Sequence, residues 1–186
     1  MQKLLIVVDF QNDFVNGTLG FDGAEKLDAR IASKIKEYQS ANNPIWYTMD
    51  VHDSNYLKTQ EGKNLPIEHC IENTDGCNIF GSVADLVRKQ DLVFKKQEFC
   101  SAKLYDTLKE LNKKAQLAGT IPFESIELVG LVTNICVVNN AVLCKLACSE
   151  VPIIIDASCV GSYDQDLHEK TLDVMNGFQC IITNRN

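Results

Sequence analysis

Cys136 stands in the stretch GLVTNICVVNNAVL, residues 130–143, where an apolar run gives way to a helical pattern. A thiol has a reference pKa of about 8.5, so near neutrality it attacks carbon only when a base or a positive field helps to form thiolate. Cys136 lies near the start of the helix that the spacing predicts from about residue 134, where unpaired N–H groups and the helix dipole favour an anion. Asp9, closing the first apolar run, is a carboxylate able to take the thiol proton; Lys95 and Lys96, closing another, offer a cation to hold both. Such a set supplies nucleophile, base and orienting group. Asp50 and His52, at i and i+2 of an extended chain, project to one side. His69 is placed to complete a carboxylate and two imidazoles. That donor set suits a divalent ion and leaves coordination positions open for catalysis.

Apart from His69, these residues share one relationship to the chain: they stand at or just beyond the end of a short apolar run. The runs are KLLIVVD (3–9), PIWYTMD (44–50), DLVFKK (91–96), IELVGLV (126–132), VPIIIDAS (151–158) and FQCIIT (178–183). Hydrophobicity that is continuous rather than alternating implies burial on both faces, as in a parallel sheet. Helical spacing intervenes at 24–41, where Leu27, Ile31, Ile35 and Tyr38 form one stripe, and at 101–119, where Leu104, Leu108 and Leu111 repeat the pattern before Gly119. Residues 134–148 and 165–176 read as two further helices. The alternation predicts an α/β fold, a single Rossmann-like doubly wound domain over 1–186 with a mostly parallel six-stranded sheet and helices on both faces. Ligands of such sheets bind beyond the carboxyl ends of the strands, the rim that would receive Asp9, Asp50, His52, the lysines and Cys136. Residues 51–79 have no clear period, which in a compact domain marks a functional or a disordered stretch. The glycines of GTLGFDG (17–23) are spaced GxxGxxG and do not match a dinucleotide fingerprint.

With 186 residues the chain is long enough to bury roughly 70% of its unfolded surface, and 45% hydrophobic with 23% charged residues is an ordinary globular balance. A net charge of −7 without a basic stripe argues against nucleic acid and anionic lipid as partners. The five apolar residues before Asp9 are too few for a signal peptide core or a membrane span, which points to the cytoplasm and no membrane partner. Eight cysteines make no CxxC pair, and a chain of this size needs no disulfides. Cys144, Cys148, Cys159 and Cys180 read as small buried residues, and Cys70 and Cys77 as partly exposed neighbours of the site.

The segments VVDFQNDF with Asp9, FKKQEFCS with Lys96 and GLVTNICV with Cys136 resemble the isochorismatase-like cysteine hydrolases, and within them the nicotinamidase-related amidases. The resemblance runs from residue 3 to about 182. It selects Lys96 over Lys95, because Lys96 fits KxxFxS with Phe99 and Ser101. It implies a triad of Asp9, Lys96 and Cys136 that attacks a carboxamide, releases ammonia and hydrolyses a thioester. It also implies a cis peptide between Leu131 and Val132, an oxyanion hole from the N–H groups of Val132 and Cys136, a divalent metal on Asp50, His52 and His69, zinc first with iron or manganese as alternatives, and a tendency to form homo-oligomers. Phe14 and Leu19 are candidates to line the substrate pocket, Gln11 and Asp13 to brace the first loop, and His168 receives no catalytic role. Val51 and VTN stand where many nicotinamidases have Trp and Ala-Thr-Asp, so the aromatic pocket is altered.

The expectation is a metal-assisted cysteine amidohydrolase acting on nicotinamide or a related small carboxamide. Two alternatives stand beside it: hydrolysis of a ureido compound or an isochorismate-like vinyl ether by the same triad, and a non-catalytic module sensing metal or redox state.

Overall fold

The computed structural model describes residues 1–185. Its six strands are β1 (Leu4–Val8), β2 (Ile45–Asp50), β3 (Leu92–Lys96), β4 (Ile126–Leu131), β5 (Ile153–Gly161) and β6 (Ile181–Thr183). They form one sheet in the order β3-β2-β1-β4-β5-β6, and every pairing is parallel, so the expected α/β architecture is present without an antiparallel member. The chain leaves β1 toward one edge and returns across it to β4 to build the other. Strand ends part at that reversal and open a crevice.

Alternation along β1 divides the core. Leu4, Ile6 and Val8 face a layer that includes Leu104, Leu108, Leu143 and Leu172, whereas Leu5 and Val7 face Leu27, Ile31 and Ile35. The first layer is covered by helices α5 (Ala102–Leu117), α6 (Val138–Ala147) and α7 (Gln165–Gly177), and the second by α2 (Lys26–Ser40). Each fully buried Leu or Ile contributes about 1.5–3 kcal/mol of transfer free energy, which is why these stripes fix which face each helix turns to the sheet.

Three departures from the sequence reading have simple causes. Leu92 and Val93 of β3 are exposed, because an edge strand has one open side. β6 starts at Ile181 rather than 178, since Phe178 caps α7 and Gln179 has a positive φ of 71°. Helices α1 (Asn12–Val15), α3 (Gln60–Asn64) and α4 (Gly81–Asp85) are too short to show a period in the sequence. No helix among the described residues is long and apolar enough to cross a membrane.

Gly130, with φ 112°, pairs with Val8 where β1 and β4 lie side by side. A Cβ on it would stand 2.1 Å from the Val8 carbonyl oxygen. Only glycine lets these two strands approach so closely just before they deliver Asp9 and Cys136.

Candidate active site

Asp9 follows β1 in the left-handed region, φ 43°, a conformation that costs about 1–3 kcal/mol outside glycine and persists only where the surroundings hold it. They do so here. The Asp9 N–H donates to the Thr48 carbonyl (3.2 Å), and the Thr48 hydroxyl donates to Asp9 Oδ1 (2.6 Å). Gln11 then ties the loop to the next strand, its amide donating to the carbonyls of Asp50 and Cys77 and accepting from Asp50 N–H, each at 2.8 Å. Asp13 accepts from Cys70 N–H at 2.7 Å, so it braces the loop against residues 51–79.

Alternation at the end of β3 separates the two lysines. Lys95 points out toward Glu72, whereas Lys96 is buried with its Nζ 2.7 Å from Asp9 Oδ2, 3.8 Å from Cys136 Sγ and 3.5 Å from Asp50 Oδ1. Cys136 lies in a single π-helical turn, Thr133–Val137, ahead of α6, rather than in the first turn of an ordinary α-helix. The Leu131–Val132 peptide is cis.

Burial dominates the electrostatics of this cluster. It pushes the Cys136 thiol well above its ordinary pKa; nearby Lys96 opposes this, but Asp9 and Asp50 reinforce it. The resting group is therefore a thiol, not a standing thiolate. Burial likewise raises the Asp9 carboxyl, with Lys96 pulling the other way and Asp50 adding to the rise. Desolvation alone would lower Lys96, yet Asp9, Cys136 and Asp50 together hold it above the ordinary lysine range and keep it charged.

Asp50, at the end of β2, joins this trio to a second cluster. Its Oδ2 lies 3.0 Å from His52 Nε2 and 3.5 Å from His69 Nε2, and His69 Nε2 is 3.7 Å from Glu61 Oε1. Ligand atoms of Asp50, His52, Glu61 and His69 all fall within 4.8 Å of one another. His69 Nδ1 is tied to the Ile67 carbonyl at 2.9 Å, a contact that fixes the ring with Nε2 facing inward, as metal-bound imidazoles require. Burial would raise Asp50, but hydrogen bonds from His52 and His69 and the charge of Lys96 outweigh it and hold the carboxyl far below its usual range. His69 packs edge to face with Tyr56 at a centroid distance of 4.8 Å, His52 lies tilted against the same ring at 4.7 Å, and Phe14 backs His69 at 5.5 Å. Two imidazoles and two carboxylates with their ligand atoms this close together form a donor set that fits a divalent ion.

A cavity of about 1050 Å³ opens onto Cys136 and this cluster, at the upper end of the roughly 300–1,000 Å³ usual for small-molecule sites. Phe14, Leu19 and Val132 all line it, as do Tyr56, Phe99 and Tyr163. Its charged lining is acidic, with Asp50, Asp53, Glu61 and Glu98; among the described residues no lysine or arginine lines it. The irregular segment 51–79 is thus one wall, folded as short turns and α3. Cys70 and Cys77, expected to be partly exposed, are buried behind that wall.

Glu61 and Thr48 were not singled out from the sequence. Glu61 is one of several acids in an aperiodic stretch, and only the folding of α3 turns it toward His69. Thr48 carried a signal that was passed over, a polar residue inside an apolar run two positions before Asp50.

Comparison with known proteins bears on the family and the fold. The family model for the Isochorismatase domain matches residues 3–186. An uncharacterized isochorismatase family protein PncA of Bacillus subtilis (strain 168) is 26% identical over 175 residues, 90% of this chain and 91% of the relative. The pyrazinamidase/nicotinamidase of Streptococcus mutans UA159 superposes with a TM-score of 0.80 at 25% identity, covering 97% of this chain and 99% of that one. The pyrazinamidase of Pyrococcus horikoshii, solved in complex with zinc, gives 0.80 at 21% identity with both chains fully covered, a likeness of fold.

Proposed function

The chain belongs to the isochorismatase family, and we propose that within it this protein is a cysteine amidohydrolase that releases ammonia from a small uncharged carboxamide, nicotinamide or a close relative. The observation that carries the reading is Lys96 Nζ lying 2.7 Å from Asp9 and 3.8 Å from the Sγ of Cys136, the member of the trio that lines the cavity.

On this reading the Cys136 proton passes to the Asp9 carboxylate as sulfur bonds to the amide carbon, since burial raises the thiol pKa and disfavours a free thiolate beforehand. Lys96 stays protonated throughout and compensates whichever partner is negative. The N–H groups of Val132 and Cys136 donate hydrogen bonds to the developing oxyanion. Asp9 then returns the proton to the departing nitrogen, ammonia leaves, and a thioester remains. Water attacks it, giving its proton to Asp9, and sulfur takes that proton back as the acid departs. The sum is carboxamide plus water to carboxylic acid plus ammonia. Asp50, His52, Glu61 and His69 would hold a divalent ion, zinc in the first instance, which when bound offers a Lewis-acidic anchor for a ring nitrogen or carbonyl of the substrate.

The lining also weighs the alternatives. Ureido acids and isochorismate-like vinyl ethers are anions, and carboxylate recognition ordinarily uses an arginine or lysine. The wall supplies acids instead. A carboxamide panel read by ammonia release tests the reading: nicotinamide or another neutral amide is turned over, Cys136→Ala is folded and inactive, and carboxylate-bearing analogues are poor. Equal ammonia release by wild type and Cys136→Ala would refute it.

A further inference from the structure

Two of the three histidines face the cation cage; the third, His168, lies elsewhere and meets the nucleophile turn from behind. Its Nδ1 is 2.8 Å from the Thr133 hydroxyl, both residues are buried, and Thr133 is wholly out of contact with water. Thr133 follows Val132 directly and opens the turn that carries Cys136. A second tie lies beside the first. The Ser162 hydroxyl donates to Asn134 Oδ1 at 2.6 Å and accepts from Asp164 N–H at 3.2 Å. Asp164 in turn caps α7, accepting from Leu167 N–H at 2.9 Å, and its carbonyl accepts from His168 N–H at 2.9 Å. The first turn of α7 and the loop entering it therefore grip two successive residues of the turn through side chains.

We propose that His168 is a positioning residue: through the Thr133 hydroxyl it holds the backbone of residues 132–136 so that the Val132 and Cys136 N–H groups stay aimed at the reacting oxygen. The inference rests on the amidohydrolase reading above. The physical reason is that a buried hydroxyl and a buried imidazole have no water to turn to, so each fixes the other. Oxyanion donors lose their effect when displaced by a fraction of an ångström, and a donor removed outright costs about 10²–10³ in kcat. A tie on the adjacent residue acts on that geometry without touching substrate.

Thr133→Val keeps the shape and loses the hydroxyl, whereas Thr133→Ser keeps the hydroxyl. His168→Leu removes the ring nitrogens, whereas His168→Asn returns a polar atom near the position of Nδ1. Ammonia release from nicotinamide, alkylation of Cys136 by iodoacetamide and thermal melting are measured for all four. Thr133→Val and His168→Leu are expected to lower kcat about tenfold or more with KM little changed. Cys136 alkylation keeps its wild-type rate, because displacement at an alkyl carbon forms no oxyanion. Thr133→Ser and His168→Asn retain most of kcat, and the double variant Thr133→Val/His168→Leu is no worse than the poorer single. Wild-type kcat in both Thr133→Val and His168→Leu overturns the inference, as does a loss that the conservative variants share or that falls on KM. Should His168→Leu fail to fold, Thr133→Val against Thr133→Ser decides. A wild-type protein that releases no ammonia from any carboxamide removes the functional reading and the inference with it; an active wild type matched by its variants removes the inference alone.

Discussion

Lys96 Nζ and Asp9 Oδ2 meet at 2.7 Å with both side chains sealed from water, and that contact joins the ends of two strands separated in the sheet by β2. Removing one partner of such a pair leaves a buried charge without its counterion, typically a loss of about 3–5 kcal/mol. Lys96→Met is therefore expected to lower the melting temperature sharply and abolish ammonia release. Lys95→Met, which loses only an exposed contact to Glu72, should stay within about 0.5 kcal/mol of wild type and keep activity. Thermal melts and turnover of the two variants provide the check.

The cage of Asp50, His52, Glu61 and His69 should bind one zinc ion per chain. A ligand that binds only the folded state stabilises it, by about 2.7 kcal/mol at a hundredfold excess over Kd. Zinc should accordingly raise the melting temperature of the wild type, chelation should reverse the rise, and His52→Ala should abolish it. Glu61→Gln is expected to weaken zinc in a direct titration while leaving the apoprotein melt nearly unchanged. A zinc affinity equal to wild type in Glu61→Gln would exclude Glu61 from the donor set.

Asp9 accepts a proton only when ionised, and its pKa is raised by burial despite Lys96. Activity must then fall as pH drops through a value above the ordinary aspartate figure of about 3.9. The acid limb of kcat/KM should sit above that figure. A limb at or below it would contradict the assignment of Asp9 as base.

His168 has its pKa lowered, first by burial, with Arg185 adding to the effect and Glu169 opposing it. The unfolded chain then binds a proton more readily than the folded one, so the stability tied to His168 is complete above about pH 6.5 and lost as pH falls through the lower folded value. Denaturant unfolding between pH 8 and 5 should show this decline, and His168→Asn should flatten it. An unchanged slope in the variant would assign the decline to other groups.

Gly130→Ala would place a Cβ 2.1 Å from the Val8 carbonyl at φ 112°. The strands must separate or the backbone strain, at a cost of about 1–3 kcal/mol or more. Reduced stability accompanied by lost turnover is expected, since the same strands deliver Asp9 and Cys136.

The sheet and most of its helices were legible because their residues obey a period. Leu27, Ile31 and Ile35 announce the buried side of α2, and the continuous runs announce strands covered on both faces. Asp9, Lys96 and Cys136 were legible for a related reason: each is a reactive type at or just beyond a strand end, and alternation within β3 sends adjacent lysines to opposite sides. The cavity wall was not legible. Turns of three to five residues carry no period, so nothing local turned Glu61 toward His69 or buried Cys70 and Cys77. His168 was read only for what it could do to a substrate, while its contact with Thr133 joins residues 35 apart. The exposed edge of β3 was missed because an apolar run does not state its place in the sheet.

The excursion between β2 and β3 carries two imidazoles, a carboxylate and much of the surface a substrate would touch, and side chains of the loop after β1 pin it through Gln11, Asn12 and Asp13. Reagents anchored to strands and walls hung from a few pegs can diverge at different speeds. Rewriting residues 53–68 would reshape what enters while the sulfur chemistry beneath stays in register, so a single scaffold can be retargeted by editing one stretch of chain.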